Sequence, residues 1–284
     1  MMDAIDDQGD FIKVWKSVLR RLGDRQEGES AKMTAKRDEH LALVQKARET
    51  IDEINHFHDE ILRQWAEPDQ RIIGEVIHVE PGAFSVAPHG FTHDWALIEL
   101  YDDKFDWTTF KGNKVYVGGN LSSLEYGKIM FPWPEDQANY EYPEDGLLQA
   151  FGVVPAGEIY SPQYRDAHGE RCLLVVKNGL ATGTTIGRVM GMESFTRVYK
   201  EYGIKETSME IAVLPYSNAT GLFSAPGDSG SIVLDRNGRI LGMLTGGAGT
   251  TDGTDVTYLT PYWYLEAEIK KHFPNAFLYD VVVN

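Results

Sequence analysis

A mainly β fold behind a helical N-terminal quarter is what this sequence predicts, and three observations predict it. Before Glu67-Pro68 the apolar residues recur at steps of three and four. After Pro68 short apolar runs alternate with Gly, Pro, Asn and Asp turns. One of those runs is entered through a glycine-flanked serine turn, Ser224-Ala225-Pro226-Gly227-Asp228-Ser229-Gly230-Ser231. Steps of three and four belong to helices, whereas short strands with frequent turn signals belong to barrels or sandwiches.

In chain order, a first helix is read from Phe11, Val14, Trp15, Val18, Leu19 and Leu22, with Gly23 placed to end it. A polar stretch, Asp24 to Ser30, follows. A long second helix is read from Val44, Ala47, Ile51, Ile54, His58, Ile61 and Trp65. That heptad seam is suited to packing on the first helix, on the β region, on a partner protein or on a second copy. Strands are expected at 72–79, 95–100, 114–117, 147–154, 173–176, 185–190, 210–214, 231–234, 239–244 and 256–259. Asp235-Arg236-Asn237-Gly238 marks a hairpin between two of them. Tyr264, Leu265, Ile269 and Phe273 share one side of a closing helix, 262–273. The stretch 119–145 reads as a polar link between two halves of the β region. The expected domains are therefore a helical hairpin at 1–67, a partial first β-barrel at 68–140, and a second β-barrel with the serine turn and C-terminal helix at 141–284.

Composition narrows the function. Against 27 Lys and Arg stand 43 Asp and Glu, a formal charge of −16, which disfavours nucleic acid and anionic membrane surfaces as partners. No apolar run reaches the length of a membrane span. The first thirty residues lack an apolar leader core, and Cys172 is the single cysteine; together these predict a cytoplasmic location without a disulfide. No Cys-x-x-Cys, His-Glu-x-x-His or phosphate-binding glycine loop occurs, so no cofactor or metal is expected. His56 and His58 diverge on a helix and read, with Asp59 and Glu60, as a solvated face.

Ser229 is the candidate nucleophile. Gly227 permits a sharp turn, and its N–H can join that of Ser229 in facing an oxyanion. Two further motifs lie upstream: Val176-Lys177-Asn178-Gly179-Leu180-Ala181-Thr182-Gly183-Thr184-Thr185-Ile186-Gly187, and Asp94-Trp95-Ala96-Leu97-Ile98-Glu99-Leu100. The Gly-Asp-Ser-Gly run resembles the nucleophile loop of trypsin-like (chymotrypsin-fold) serine proteases. The Thr-Gly hairpin resembles one in their second barrel, and Asp94 stands where they place the aspartate that orients the catalytic histidine. The order aspartate, hairpin, serine agrees with that family, and the helical quarter looks like an insertion carried by its fungal members.

The resemblance implies an acyl-enzyme on Ser229, an oxyanion hole at Gly227 and Ser229, and a substrate pocket at Thr245, Gly246 and Gly247 with Phe223 at its base. An aromatic base favours apolar or small side chains, unless the polar loop 250–255 alters it. In that family the residue at Asp228 pairs with a freed N-terminus. This chain begins Met1-Met2-Asp3, so Asp228 needs another partner or a cleavage that frees a new N-terminus. The family's histidine, in an Ala-x-His setting before the aspartate, has no counterpart among His40, His56, His58, His78, His89, His93, His168 and His272. Either the strand that carries it is missing, leaving the first barrel short, or a helix histidine, His58 or His56, swings into the cleft. Two functions follow: a serine endopeptidase acting on peptides or proteins, or an inactive protease-fold module that grips an extended peptide.

Overall fold

The computed structural model describes residues 2–23, 29–119, 121–138, 140–199, 205–217, 220–249 and 255–279. Most of the polar stretch 24–30 and most of the loop 250–255 lie outside them. The chain divides into two units, Met1–Glu75 and Val76–Asn284.

The first unit is a helical hairpin of α1 (Met2–Leu22) and α2 (Ala31–Trp65). Ser30 caps α2 by accepting from the Met33 N–H, which satisfies one of the donors that a helix start leaves open. Arg37 ties the helices together, donating to the Gly23 and Leu22 carbonyls and pairing with Glu29 at 2.5 Å. The heptad seam is covered at Val44 and Ala47 and emerges into solvent at Ile61 and Trp65. Among the described residues no helix is long and apolar enough to cross a membrane.

The second unit is mainly β. Strands β1 (Gly74–Val79), β2 (Ala83–Val86), β3 (Phe91–His93), β4 (Ala96–Leu100), β5 (Lys114–Tyr116) and β6 (Leu147–Gln149) form three separate two-stranded ladders, β1–β4, β2–β3 and β5–β6. They do not close into a barrel. Strands β7 (Leu173–Gly179), β8 (Gly183–Val189), β9 (Glu193–Tyr199), β10 (Lys205–Pro215), β11 (Ile232–Asp235), β12 (Ile240–Ala248) and β13 (Val256–Pro261) form one antiparallel sheet in the order β13-β12-β11-β7-β8-β10-β9. Pairing of Ile211 with Leu259, Ala212 with Tyr258 and Val213 with Thr257 joins β10 to β13. Six strands thus close a barrel, and β9 continues the sheet beyond β10. With the N-terminal hairpin and the closing helix α6 (Tyr262–His272), this is the mainly β, trypsin-like architecture with an incomplete first barrel.

The run Leu173–Val176 is apolar throughout because β7 is buried on both faces. Successive side chains of a strand point to opposite sides. Leu173 and Val175 enter the barrel interior beside Val189, Ile211, Val213, Val233, Leu241 and Leu259. Leu174 and Val176 face outward and are covered by Val117, Tyr126, Met130 and Phe131. Three of these covering residues, Tyr126, Met130 and Phe131, belong to the stretch expected to be a polar link. Instead it folds into α3 (Ser123–Met130) and α4 (Pro134–Gln137). A capping box between Ser122 and Glu125 starts α3. Tyr126 and Met130, one turn apart, then fall on the same buried face. A short fifth helix, α5 (Ala156–Tyr160), places Ile159 against the other core layer.

Candidate active site

The serine turn hangs between β10 and β11. Gly227 (φ 107°) and Gly230 (φ 85°) occupy backbone conformations that suit glycine. Two tight turns follow each other, Asp228 N–H to Ala225 carbonyl at 3.0 Å and Ser231 N–H to Asp228 carbonyl at 3.0 Å. The Gly230 N–H then anchors to the Leu244 carbonyl of β12 at 2.8 Å. Ser229 is left exposed at the apex. Its N–H and that of Gly227 donate to no acceptor among the described residues.

What fixes this shape is Asp228, which is fully buried. Its Oδ1 accepts from the N–H groups of Ala181 (2.7 Å) and Thr182 (3.3 Å). Its Oδ2 accepts from the Thr182 hydroxyl (2.7 Å) and the Ala225 N–H (3.1 Å), and it lies 3.2 Å from Lys177 Nζ. Lys177 is itself fully buried, and it also donates to Thr182 Oγ1 at 2.5 Å and the Gly183 carbonyl at 3.1 Å. Burial opposes the charge on Asp228; the hydrogen bonds and the ammonium outweigh it and hold the carboxyl down to about 2. Burial pulls the Lys177 ammonium below its ordinary range against the attraction of Asp228. Gly179 makes the approach possible, because a Cβ there would stand 2.6 Å from Asp228 Cγ and overlap the carboxylate. The Thr-Gly hairpin and the Gly-Asp-Ser-Gly turn are therefore one construction, joined by the Lys177–Asp228 ion pair.

Beside Ser229 opens a cleft of about 290 Å³, whose walls include Ala225, Pro226, Leu244, Gly246, Gly247 and Asp255. Small residues leave the space open. Of the four residues expected to form the pocket, Gly246 and Gly247 line it. Phe223 does not: it is 1% exposed and packs in the barrel core, against Gly187, where a Cβ would come within 2.7 Å of its ring. Thr245 does not line it either. It sits where the β12–β13 register shifts, between Leu244 and Gly246, and its hydroxyl donates to the Tyr258 carbonyl at 3.3 Å. Sequence reasoning left Asp255 unassigned. Burial raises its carboxyl, and the Phe223 N–H approaches it only at 3.4 Å.

Asp94 lies between β3 and β4 and is exposed, whereas its neighbours His93 and Trp95 are buried. The carboxylate expected to orient the histidine thus faces solvent. His93 bonds to the Tyr264 hydroxyl and approaches Glu80 at 3.5 Å. His78 and His272 both contact Glu80, and His89 packs against Trp263 and Tyr264. His168 sits in an exposed turn, its N–H bonded to Asp166. His58 belongs to the helical unit, where it stands 3.6 Å from Asp59; His56 is exposed on the same helix. No imidazole lies within hydrogen-bond distance of Ser229 Oγ among the described residues.

Solved structures similar to this chain are serine proteases. The Cellulomonas bogoriensis chymotrypsin shares 20% identity over 47% of this chain and 57% of its own, with a TM-score of 0.28. The Nocardiopsis protease shares 18% over 45% and 54%, with a TM-score of 0.28. A glutamic acid specific serine protease, described as using a histidine triad in substrate binding, shares 13% over 74% and 75%, with a TM-score of 0.36. The chain spans a little over half the length of the first two. Neither a protein-family model nor a curated protein sequence matches it.

Proposed function

We propose that this protein is a serine endopeptidase in which Ser229 forms an acyl-enzyme. One observation carries the reading: an exposed serine, whose N–H and that of Gly227 have no acceptor among the described residues, stands at the mouth of a cleft on a turn locked from beneath by a buried ion pair. Attack of Ser229 Oγ on a peptide carbonyl puts negative charge on the carbonyl oxygen. The Gly227 and Ser229 N–H groups are the donors for that oxyanion. The serine proton passes to a general base and from there to the departing amine. Asp255 gives the cleft a carboxylate with one long hydrogen bond, so the substrate side chain it favours is basic rather than apolar.

A fluorophosphonate probe tests the reading: it should label the wild type and not Ser229→Ala, and equal labelling of both removes the proposal. A peptide-binding module without turnover is the second reading. It is favoured by the absence of an imidazole on Ser229 Oγ among the described residues, and it predicts peptide binding that Ser229→Ala leaves unchanged.

A further inference from the structure

Two of the eight histidines and Glu80 converge at one end of the β1–β4 ladder. His78 and Glu80 are two apart on an extended segment, so both side chains point the same way. His272 ends α6. His78 Nε2 and His272 Nε2 each lie 3.2 Å from the same oxygen, Glu80 Oε2, and one ligand atom from each residue falls within 4.8 Å of the others. Four ligands at about 2.0–2.2 Å around a tetrahedral zinc ion sit roughly 3.3–3.5 Å apart. The two nitrogen–oxygen distances lie just below that edge.

The surroundings hold these groups in place. The His78 ring stacks on Trp95 (centroids 4.9 Å apart) and meets Phe273 edge-on (5.6 Å). The Glu80 N–H donates to the Trp95 carbonyl at 3.0 Å. The other Glu80 oxygen lies 3.5 Å from His93 Nδ1, and His93 Nε2 bonds to the Tyr264 hydroxyl. A ligand carboxylate backed by a further hydrogen-bonding layer is the usual build of a metal site. His78 and Glu80 are largely buried, while His272 is 44% exposed, which leaves a path for an ion and room for water as a fourth ligand.

We propose that His78, Glu80 and His272 bind one Zn²⁺ ion that clamps β1 to the C-terminal end of α6. Two imidazoles and a carboxylate suit zinc among the common divalent ions. The clamp has a structural reason. A two-stranded ladder is marginal alone, and β1 leaves Val76, Ile77 and Val79 exposed. On binding, each imidazole carries its single ring proton on Nδ1 and gives the Nε2 lone pair to the metal, so Glu80 exchanges its two 3.2 Å contacts for one coordinate bond.

The test uses the full chain after dialysis against a chelator. Zn²⁺ is titrated calorimetrically, Co²⁺ is followed by its visible absorption, and melting is recorded with and without Zn²⁺. The expected result is one Zn²⁺ per chain, a tetrahedral Co²⁺ spectrum and a Zn²⁺-dependent rise in Tm. His78→Gln and His272→Ala should each weaken binding ~100-fold or more and abolish the Tm rise. His93→Gln should weaken it about 10-fold, and His40→Gln in α2 should not change it. No saturable one-to-one binding, binding unchanged in His272→Ala, or binding without a Tm rise each overturns the proposal. Circular dichroism of the half-exposed His272→Ala variant separates a lost site from a lost fold.

Discussion

Replacing Lys177 with methionine removes the only cation that faces Asp228 among the described residues. At about 1.4 kcal/mol per unit, a carboxyl held at about 2 instead of 3.8 contributes on the order of 2 kcal/mol to folding at neutral pH, and the lowered Lys177 ammonium offsets part of it. The folded pKa of Asp228 is depressed, so this contribution is complete above about pH 4 and is lost as the pH falls towards 2. Stranding one member of a buried pair costs about 3–5 kcal/mol. The Thr182 hydroxyl and three N–H groups still face Asp228 in the variant, which places Lys177→Met near the lower end, about 3 kcal/mol. Urea unfolding followed by tryptophan fluorescence measures it at pH 7 and again at pH 3, where the gap between variant and wild type should narrow. The double variant Lys177→Met, Asp228→Asn should lose at least about 1 kcal/mol less than the sum of the single losses. Additive losses, or a gap that does not change with pH, would refute the ion pair as the lock beneath Ser229.

Four further outcomes follow from the same geometry. Gly179→Ala drives a Cβ into the Asp228 carboxylate and should cost about 1–3 kcal/mol by urea titration while lowering fluorophosphonate labelling of Ser229. Asp255→Asn should lower the kcat/KM preference for basic over apolar substrate side chains by about 10- to 100-fold, the worth of one charged hydrogen bond; an unchanged ratio removes Asp255 from the specificity argument. Glu210 is buried between the hydroxyls of Thr92 and Thr260, and burial raises its carboxyl. A raised carboxyl weakens folding once the unfolded chain ionises, so Glu210→Gln should gain in urea midpoint at pH 8 and lose that gain near pH 4. Leu241→Ala, in the barrel interior, should lower stability by about 2–5 kcal/mol by urea titration at constant slope.

The ten expected strands all appear, because each is either a continuous apolar run or a run bounded by strong turn residues. Strands β2 and β3 escaped notice: four and three residues are too few to show a period. Strand β9 escaped because it lies at a sheet edge, with Phe195 largely in solvent. The stretch 119–145 was misread for a different reason. Its polarity is real, but Tyr126, Met130 and Phe131 carry the burial, and three residues in twenty-seven barely move an average. At the site, the serine turn was legible because its glycines are local requirements. The Lys177–Asp228 bond was not, because nothing in either segment announces a partner fifty residues away. Phe223 was assigned to the cleft because it precedes the serine by six residues; that spacing does not reveal that the missing Cβ of Gly187 draws the ring inward.

Closure of the barrel depends on its last strand. Strand β13 pairs with β12 on one side and with β10 on the other. While the polypeptide is being made, the ring therefore stays open until residue 261 has left the ribosome. Every shorter nascent chain carries raw strand margins that invite pairing with a neighbour. Synthesis that pauses just before β13 should thus leave an aggregation-prone intermediate, and long-range pairing of this kind makes for slow folding.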